Sequence, residues 1–422
     1  MDPSIQAEID RNYKFNFTVN VLDGTLFWFG ASFFASRTIA PLFLSYLTDN
    51  TLVFGLLATI VSTGWMLPQL FTANWVQQLP IKKFLPVKIG FFTERLPIIL
   101  LPLAAWAVLR SHNLAIGLFI FLFAWHIIGA GVTAVGWQDM LAKIFSVERR
   151  GRFFGAANFG GNATGILGAA AAAWMLEYFE FPYNFMALFG TGAVFIFLSW
   201  VSLALTREPA VPPKKAPLSS KNYWRSLPRI IKTDTNYRHF LYSQIVLSAG
   251  AMGLGFFTIY TVRQWQVSDG MVGLFTTSLL FGTAVSNLIF GWLADKYGHK
   301  LVIEISNLAL ILTSVFAVLA PAPEYFYLVF GLQGIYSAGL ILSGIMIIFE
   351  FCKEDIRPTY IGLTNSIVGV FAGATPLVGG WLADAAGFSW LFGASLVFSI
   401  IALWLLHFTV TEPRKMDLDA NS

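Results

Sequence analysis

Five side chains that can carry charge lie inside long apolar stretches of this sequence. They are Asp23, Arg37, Glu94, Arg95 and His126. A charge in an apolar environment is costly unless it meets a partner or water, so such residues mark candidate functional sites. A carboxyl or imidazole group there can bind and release a proton. A guanidinium group can hold an anion or a hydroxyl group through its fixed set of donors.

The first two of these residues share a helical pattern. Asp23, Phe27, Gly30, Phe34 and Arg37 follow the alternating spacing of four and three residues that marks one face of a helix. This face would present the carboxyl and guanidinium groups to one cavity, roughly 21 Å apart along the axis, which is too far for them to pair. Asp23 is predicted to carry a proton, the alternative being a helix cap or an ion pair with a loop residue. Arg37 either binds substrate or extends toward the membrane surface.

The other three residues are more ambiguous. Glu94 and Arg95 are adjacent and are interpreted mainly as a structural pair, with Glu94 as a second candidate for proton binding. His126 follows Trp125 near the middle of an apolar stretch, where it is either a neutral packing residue or a proton carrier. No second His or Cys follows it at ligand spacing, so no metal site is expected.

The elements that position these residues are predicted to be membrane-spanning helices. The 422 residues are 56% hydrophobic and only 12% charged, which is too apolar for a soluble protein of this length. Windows of about 20 residues, the length that crosses the hydrocarbon layer, give twelve spans. They cover residues 17–45, 51–74, 85–109, 114–140, 153–177, 183–206, 239–262, 270–293, 300–320, 324–350, 359–383 and 388–410.

The basic residues predict the orientation of the chain. Of the 27 Lys and Arg residues, all but Arg37, Arg95, Arg110 and Arg263 fall in segments on one side if both termini are cytoplasmic. The same distribution explains the net charge of +4 without nucleic-acid binding, which is excluded. The single Cys352 rules out an internal disulfide framework and a cysteine-based metal cluster. The polar N-terminus does not have the form of a signal peptide, and no phosphate-binding loop of ATP-driven transporters is present.

A short polar connection carries the most specific motif. Gly291-Trp-Leu-Ala-Asp295-Lys-Tyr-Gly298-His-Lys300 lies between two apolar spans and resembles the cytoplasmic signature loop of the major facilitator superfamily. Arg150-Gly-Arg152-Phe-Phe-Gly155 and Arg357-Pro-Thr-Tyr-Ile-Gly362 form a further pair of landmarks, one in each half of the chain. The predicted loop and gate residues are Gly291, Asp295, Lys296, Gly298, Lys300, Arg150, Arg152 and Arg357. Asp295 is expected to act as a charged latch toward residues near 357, since Gln78 replaces it in the first half.

Repeated landmarks also predict the domain organisation. Thr206-Arg-Glu-Pro209 is echoed by Thr411-Glu-Pro413, which supports a duplicated six-helix unit. The fold predicted from the resemblance is an all-α membrane protein with two pseudo-symmetric six-helix bundles. The expected divisions are an N-terminal bundle at 1–206, a cytoplasmic linker at 207–238, a C-terminal bundle at 239–411 and a cytoplasmic tail at 412–422.

The resemblance implies a secondary transporter that works by alternating access, as a symporter or an antiporter, rather than an enzyme. In the family the first, fourth, seventh and tenth spans line the cavity. Proton coupling is assigned to Asp23, Glu94 and His126, and substrate contact to Arg37, Gln244, Tyr260, Gln333 and Tyr336. The expected partners are a small organic solute, protons and the lipid bilayer, with no cofactor, for a monomer in a bacterial inner membrane or a plasma membrane. The alternatives are a multidrug or lipid exporter and a non-transporting sensor or accessory protein.

Overall fold

The computed structural model describes residues 3–211, 230–344, 346–352 and 357–415. The α-helices are α1 (Pro3–Ala31), α2 (Ile39–Ser45), α3 (Thr51–Thr63), α4 (Leu67–Gln78), α5 (Leu96–Leu100), α6 (Pro102–Ala107), α7 (His112–Ile144), α8 (Val147–Tyr178), α9 (Tyr183–Ala204), α10 (Thr235–Gly250), α11 (Phe257–Trp265), α12 (Asp269–Tyr297), α13 (His299–Leu319), α14 (Tyr325–Ser343), α15 (Met346–Glu350), α16 (Arg357–Ala386) and α17 (Phe388–Thr409). Short 3₁₀ turns occupy Ser32–Phe34, Ala251–Gly255 and Pro413–Lys415, and π-helical turns occupy Leu85–Ile89 and Phe91–Arg95.

Eleven stretches of the described residues are helical, long and apolar enough to cross a membrane. They match every predicted span except the fifth, which α8 provides. This helix has 32 residues, ample length for a crossing, but it is less apolar because it carries asparagines and many glycines. Gly160, Gly161 and Gly168 face Thr25, Trp28 and Phe29 of α1. The glycines thus allow the two helices to pack closely.

Proline residues explain where the helices break. The first span was expected to be continuous, but α1 ends at Ala31 and α2 begins at Ile39. Pro41 accounts for the break, because its ring would clash with the carbonyl group of Arg37 in a continuous helix. Pro86, Pro97 and Pro102 likewise divide the third span into π-helical turns, α5 and α6. Arg37 therefore lies in the turn at 36–38 and not on the face predicted from Asp23.

The chain forms two compact units. The first contains residues 1–48, 64–217 and 268–277, and the second contains residues 49–63, 218–267 and 278–422. In the first unit α1 packs on α8 and α9, and in the second α10 packs on α17 while α13 packs on α14. Within the second unit α3 also lies along α16, where Gly55 approaches the carbonyl oxygen of Pro376. The predicted boundaries at 206 and 239 follow the sequence halves and stay a prediction.

A close contact inside the first unit gives a test of the packing. Gly129 on α7 lies against the carbonyl group of Thr93, and a Cβ atom there would be 1.8 Å from that oxygen. Gly129→Ala is expected to destabilise the protein by roughly 3 kcal/mol, because backbone must move to admit the methyl group. Gly117→Ala on the same helix is the matched control, since nothing lies within 4 Å of its Cβ position. Thermal unfolding of both variants in detergent measures the difference, and equal midpoints would contradict this packing.

Candidate functional site

A polar seam between α1 and α9 positions Asp23. Asn16, Asn20 and Asp23 are spaced by four and three residues and face α9 together. The Asn20 amide donates to Thr206 Oγ1 at 3.1 Å, and Ser199 Oγ donates to Asp23 Oδ1 at 2.6 Å. Asp23 is only 5% exposed. The expected cavity-facing stripe is therefore wrong for this part of α1, because helix packing turns it toward α9.

The π-helical turn Phe91–Arg95 carries the next two charges. Thr133 Oγ1 on α7 donates to Glu94 Oε2 at 3.0 Å, and Arg95 Nη1 lies 3.7 Å from Glu94 Oε1. The Arg95 guanidinium group stacks on the Phe27 ring of α1 at 4.7 Å. Arg95 Nε and Nη1 are buried without a hydrogen-bond partner among the residues that the structure describes. This guanidinium group therefore has N–H donors that make no hydrogen bond to the described residues.

His126 joins the same cluster through the backbone. Its Nδ1 donates to the Glu94 carbonyl oxygen at 2.8 Å, so Nδ1 carries a hydrogen. The ring packs against Phe34 and Phe123, with centroids 5.7 and 6.3 Å away. His126 thus fixes the turn that presents Glu94 and Arg95.

The resulting cluster brings the three predicted proton-binding residues together. Glu94 and Arg95 are both close enough to Asp23 to act on its charge. Asp23, Glu94, Arg95 and His126 are all buried, on α1, the π-helical turn and α7. Arg95 contacts Glu94 directly, and the charges of both residues act on the buried Asp23 carboxyl group. The cluster is neutral when one carboxyl group holds a proton and His126 is uncharged.

The predicted substrate residues of the second unit are uncharged. Gln333 on α14 is fully buried, and its Nε2 donates to the Leu254 carbonyl oxygen at 3.3 Å. Gln333 Oε1 and Gln244 Nε2 are buried without a hydrogen-bond partner among the described residues. Tyr336 is buried as well. These groups leave one donor and one acceptor that a polar, uncharged ligand could use.

Tyr260 lies in an aromatic cluster at the end of the seventh span. Its ring is 5.2 to 5.7 Å from the rings of Trp265, Phe326, Phe388 and Phe392. Such tilted and edge-on ring contacts stabilise the end of α11 without a ligand. Arg37, the substrate candidate of the first unit, is half-buried in its turn.

The signature loop ends in a turn that only glycine adopts easily. Gly298 has a φ of +98° and separates α12 from α13. Lys296 stacks on Trp292 and Tyr297, and Lys300 Nζ donates to the His407 carbonyl oxygen at 3.0 Å. Gly291 has open space around its Cβ position. The loop is thus tied to the end of α17.

Asp295 is exposed, and Arg414 Nη1 donates to its backbone carbonyl oxygen at 3.2 Å. Arg414 Nε also donates to Glu350 Oε1. The latch expected for Asp295 stays a prediction, because residues 353–356 and the side chains of residues 357–359 lie outside the described part, Arg357 among them. The Arg150 side chain is not described either, and Arg152 is exposed.

Glu208 is a buried, hydrogen-bonded carboxyl group of the first unit that the sequence analysis does not single out. Its side chain is fully buried and accepts from Lys82 N at 2.8 Å, Lys83 N at 2.6 Å and Lys143 Nζ at 2.7 Å. Burial lowers the pKa of Lys83, and the nearby Glu208 opposes this shift. The signal in the sequence is the Glu-Pro pair that follows a threonine in both Thr206-Arg-Glu-Pro209 and Thr411-Glu-Pro413.

Glu412 occupies the equivalent position of the second half in that repeat. Its carboxyl group lies against Gly298, where a Cβ atom would be 2.6 Å from Glu412 Oε1. Burial, followed by repulsion from Glu350, raises the pKa of Glu412. A carboxyl group with a raised pKa loses folding free energy as the pH rises above its ordinary pKa. The carboxyl groups at the two equivalent positions therefore differ in character, since Glu208 is paired with Lys143 whereas burial disfavours the charge of Glu412.

One protein family matches this chain along most of its length, whereas individual relatives match about a third of it. The family model of the Major Facilitator Superfamily matches residues 22–262 and 240–421. The thioclapurine efflux transporter of Claviceps purpurea is 23% identical over 142 residues, which are 34% of this chain and 26% of that protein. The galactose-proton symporter of Escherichia coli K12 is 25% identical over 166 residues, 37% of this chain and 33% of that protein. The matches thus span about a quarter to a third of these relatives.

The solved structures include the nucleoside transporter NupG, which superposes with a TM-score of 0.71 at 10% identity. The superposition covers 93% of this chain and 99% of that one. The predicted all-α membrane fold is confirmed by this likeness together with the family match.

Proposed function

This chain belongs to the major facilitator superfamily, and we propose that it is a secondary active transporter that moves a small organic solute by alternating access, driven by protons. It is a multi-pass integral membrane protein. We place it as a monomer in a plasma membrane or a bacterial inner membrane, since its relatives come from a fungus and a bacterium.

The buried charge cluster of the first unit carries the proposal of proton coupling. Asp23 and Glu94 compete for Arg95, and a second buried negative charge without a partner is costly. Proton binding to one carboxyl group removes that cost, so the net charge of the cluster depends on the proton concentration. Arg95 acts as the counter-ion in this scheme. His126 is assigned a supporting role, because it holds the turn that carries Glu94.

The neutral groups of the second unit support an uncharged or weakly charged organic solute. Gln244 offers an unused donor and Gln333 an unused acceptor, and both are buried. A site with such groups discriminates in favour of ligands that complete their hydrogen bonds, such as hydroxyl-bearing molecules. Arg37, Tyr260 and Tyr336 stay proposed contacts of the same solute. The gate role of the signature loop stays a proposal as well.

Purified protein in liposomes tests the function. Sugars, nucleosides, organic acids and cationic drugs are first screened by thermal shift, since a ligand that binds the folded state raises its stability. A ligand that binds is then measured for concentrative flux under an imposed pH gradient. Uptake or expulsion that collapses with a protonophore is expected. Flux that does not depend on the pH gradient would contradict proton coupling. Binding without flux would indicate a sensor or accessory protein.

The second candidate is a proton-driven exporter of hydrophobic compounds. Its specific support is the match to the efflux transporter of Claviceps purpurea. In the same liposome assay, cationic or lipophilic drugs would then be the ligands that bind and move, and sugars and nucleosides would not.

A further inference from the structure

The start of α12 is held by the first unit, although the rest of this helix belongs to the second. Residues 268–277 fall in the first unit, and residues 278–297 fall in the second. Gly273 packs against Ala173 of α8 so closely that a Cβ atom would be 2.4 Å from the Ala173 Cα. The first two turns of α12 are therefore a docked segment with its own contacts.

A single carboxylate organises the polar contacts of this segment. Tyr46 Oη, just after α2, donates to both carboxylate oxygens of Asp269 at 2.7 Å. Asn184 Nδ2, at the start of α9, donates to Asp269 Oδ2 at 3.2 Å. Asn184 is 1% exposed, and its Oδ1 accepts from Phe185 N, so the amide orientation is fixed. Tyr46 is also held in place, because it stacks on Phe181 at 4.2 Å.

A second contact lies two turns further along the same face of α12. The hydroxyl groups of Thr38 and Thr276 are 2.5 Å apart and buried. Asp269, Gly273 and Thr276 are spaced by four and three residues, so they share one helical face. That face as a whole lies on α8, α9 and the segment between α1 and α3. The hydrogen bonds of Asp269 lie at the solvent-facing end of this helical face, where Tyr46 is 40% exposed.

We propose that Asp269, Tyr46 and Asn184 form a proton-sensitive clasp that fixes the start of α12 to the first unit while Asp269 is ionised and loosens when it is protonated. An ionised carboxylate accepts hydrogen bonds at both oxygens, and charge-assisted bonds are the stronger kind. Protonation converts one oxygen into a donor, removes the negative charge and leaves a single oxygen to accept from Tyr46 and Asn184. The bonds from Tyr46 and Asn184 are then neutral and weaker than the charge-assisted bonds to the ionised carboxylate. This inference does not depend on the identity of the solute or on proton coupling at Asp23.

The other groups around Asp269 do not replace its role. Glu177 at the end of α8 is the further acidic group that acts on it, and its Oε2 accepts from Gly270 N at 3.2 Å. Burial and the bond to Asp269 raise the pKa of Tyr46, so its phenol stays a donor over the physiological range. Asn184 is uncharged. The change of charge that loosens the clasp is thus assigned to Asp269.

Distances between two spin labels in the full chain test the clasp. Leu274→Cys on α12 and Tyr178→Cys on α8 are both exposed positions within the first unit and outside the clasp. They are introduced together with Cys352→Ser, which removes the single natural cysteine. At pH 7.5 one short distance is expected. At pH 5 the population with a longer distance should rise about fivefold, as expected for the loss of one net hydrogen bond.

Matched variants separate the clasp from a general effect of pH. Asp269→Asn should show the same population with the longer distance at both pH values. Tyr46→Phe should show a larger population with the longer distance at pH 7.5 than the unmodified clasp and should still respond to pH. Glu177→Gln removes a negative charge that favours protonation of Asp269, so it should keep the short distance at pH 7.5 and respond only at a lower pH. A distance distribution that does not change between pH 7.5 and 5 would overturn the proposal. A response to pH that persists in Asp269→Asn would overturn it equally, and gel filtration confirms that each variant is folded.

Discussion

Asp23→Asn is expected to abolish proton-driven accumulation of the solute while leaving its exchange down a concentration gradient largely intact. The amide has the same shape as the carboxyl group and still accepts the hydrogen bond that Ser199 Oγ donates at 2.6 Å. It cannot bind a proton in the transport cycle. In liposomes with an imposed pH gradient, concentrative uptake should fall at least about a hundredfold, the size of effect that loss of an essential proton-transfer group produces.

Ser199→Ala is the matched control for this experiment. It removes the donor to Asp23 but keeps the carboxyl group, so accumulation should persist with at most a shift in its dependence on pH. Undiminished accumulation by Asp23→Asn would show that the carboxyl group has a purely structural role in the seam between α1 and α9. Loss of both accumulation and exchange in Asp23→Asn would instead indicate a folding or packing defect.

Arg95→Gln is expected to destabilise the folded protein by about 3–5 kcal/mol, the usual cost of leaving a buried charge without its partner. The guanidinium group lies 3.7 Å from Glu94 Oε1, and its charge also acts on Asp23 in the buried cluster. Its removal leaves two carboxyl groups in a site with little water. The midpoint of thermal unfolding in detergent measures the loss.

Glu94→Gln in the same chain should recover at least half of that loss, because it removes the charge that Arg95 balances at 3.7 Å. Arg110→Gln provides a surface control. Arg110 is exposed and stacks on Trp106, so its replacement should change stability by no more than about 0.5 kcal/mol. An Arg95→Gln variant as stable as the Arg110→Gln variant, or a double variant no better than the single one, would contradict the shared counter-ion.

The sequence was sufficient to predict the membrane-spanning helices and the family. Both depend on local properties, since apolar length determines whether a segment can cross the bilayer and a short loop carries the signature motif. The sequence also singles out Asp23, Glu94 and His126 as candidates, because a titratable side chain in an apolar span is rare, and their role stays a prediction.

The partners of these residues required the tertiary structure. Periodicity placed Asp23 on one face of α1, but only packing shows that this face meets Ser199 of α9, far away in the chain. Arg95 was interpreted as structural because the sequence did not reveal that the π-helical turn brings it toward two carboxyl groups. Glu208 was a repeat landmark until its three donors, from two loop residues and Lys143, were seen around it.

The same division applies to the clasp at the start of α12. Asp269 follows a loop and begins a helix, so its sequence context indicates an ordinary residue at a helix N-terminus, where acidic side chains are favoured. Tyr46 and Asn184 lie 223 and 85 residues away in the chain. The sequence by itself thus determined which segments enter the membrane and which of them carry charge. The tertiary structure alone decided which charges share a partner, because contacts between helices depend on the rotation of each helix about its axis and on the prolines and glycines that bend it.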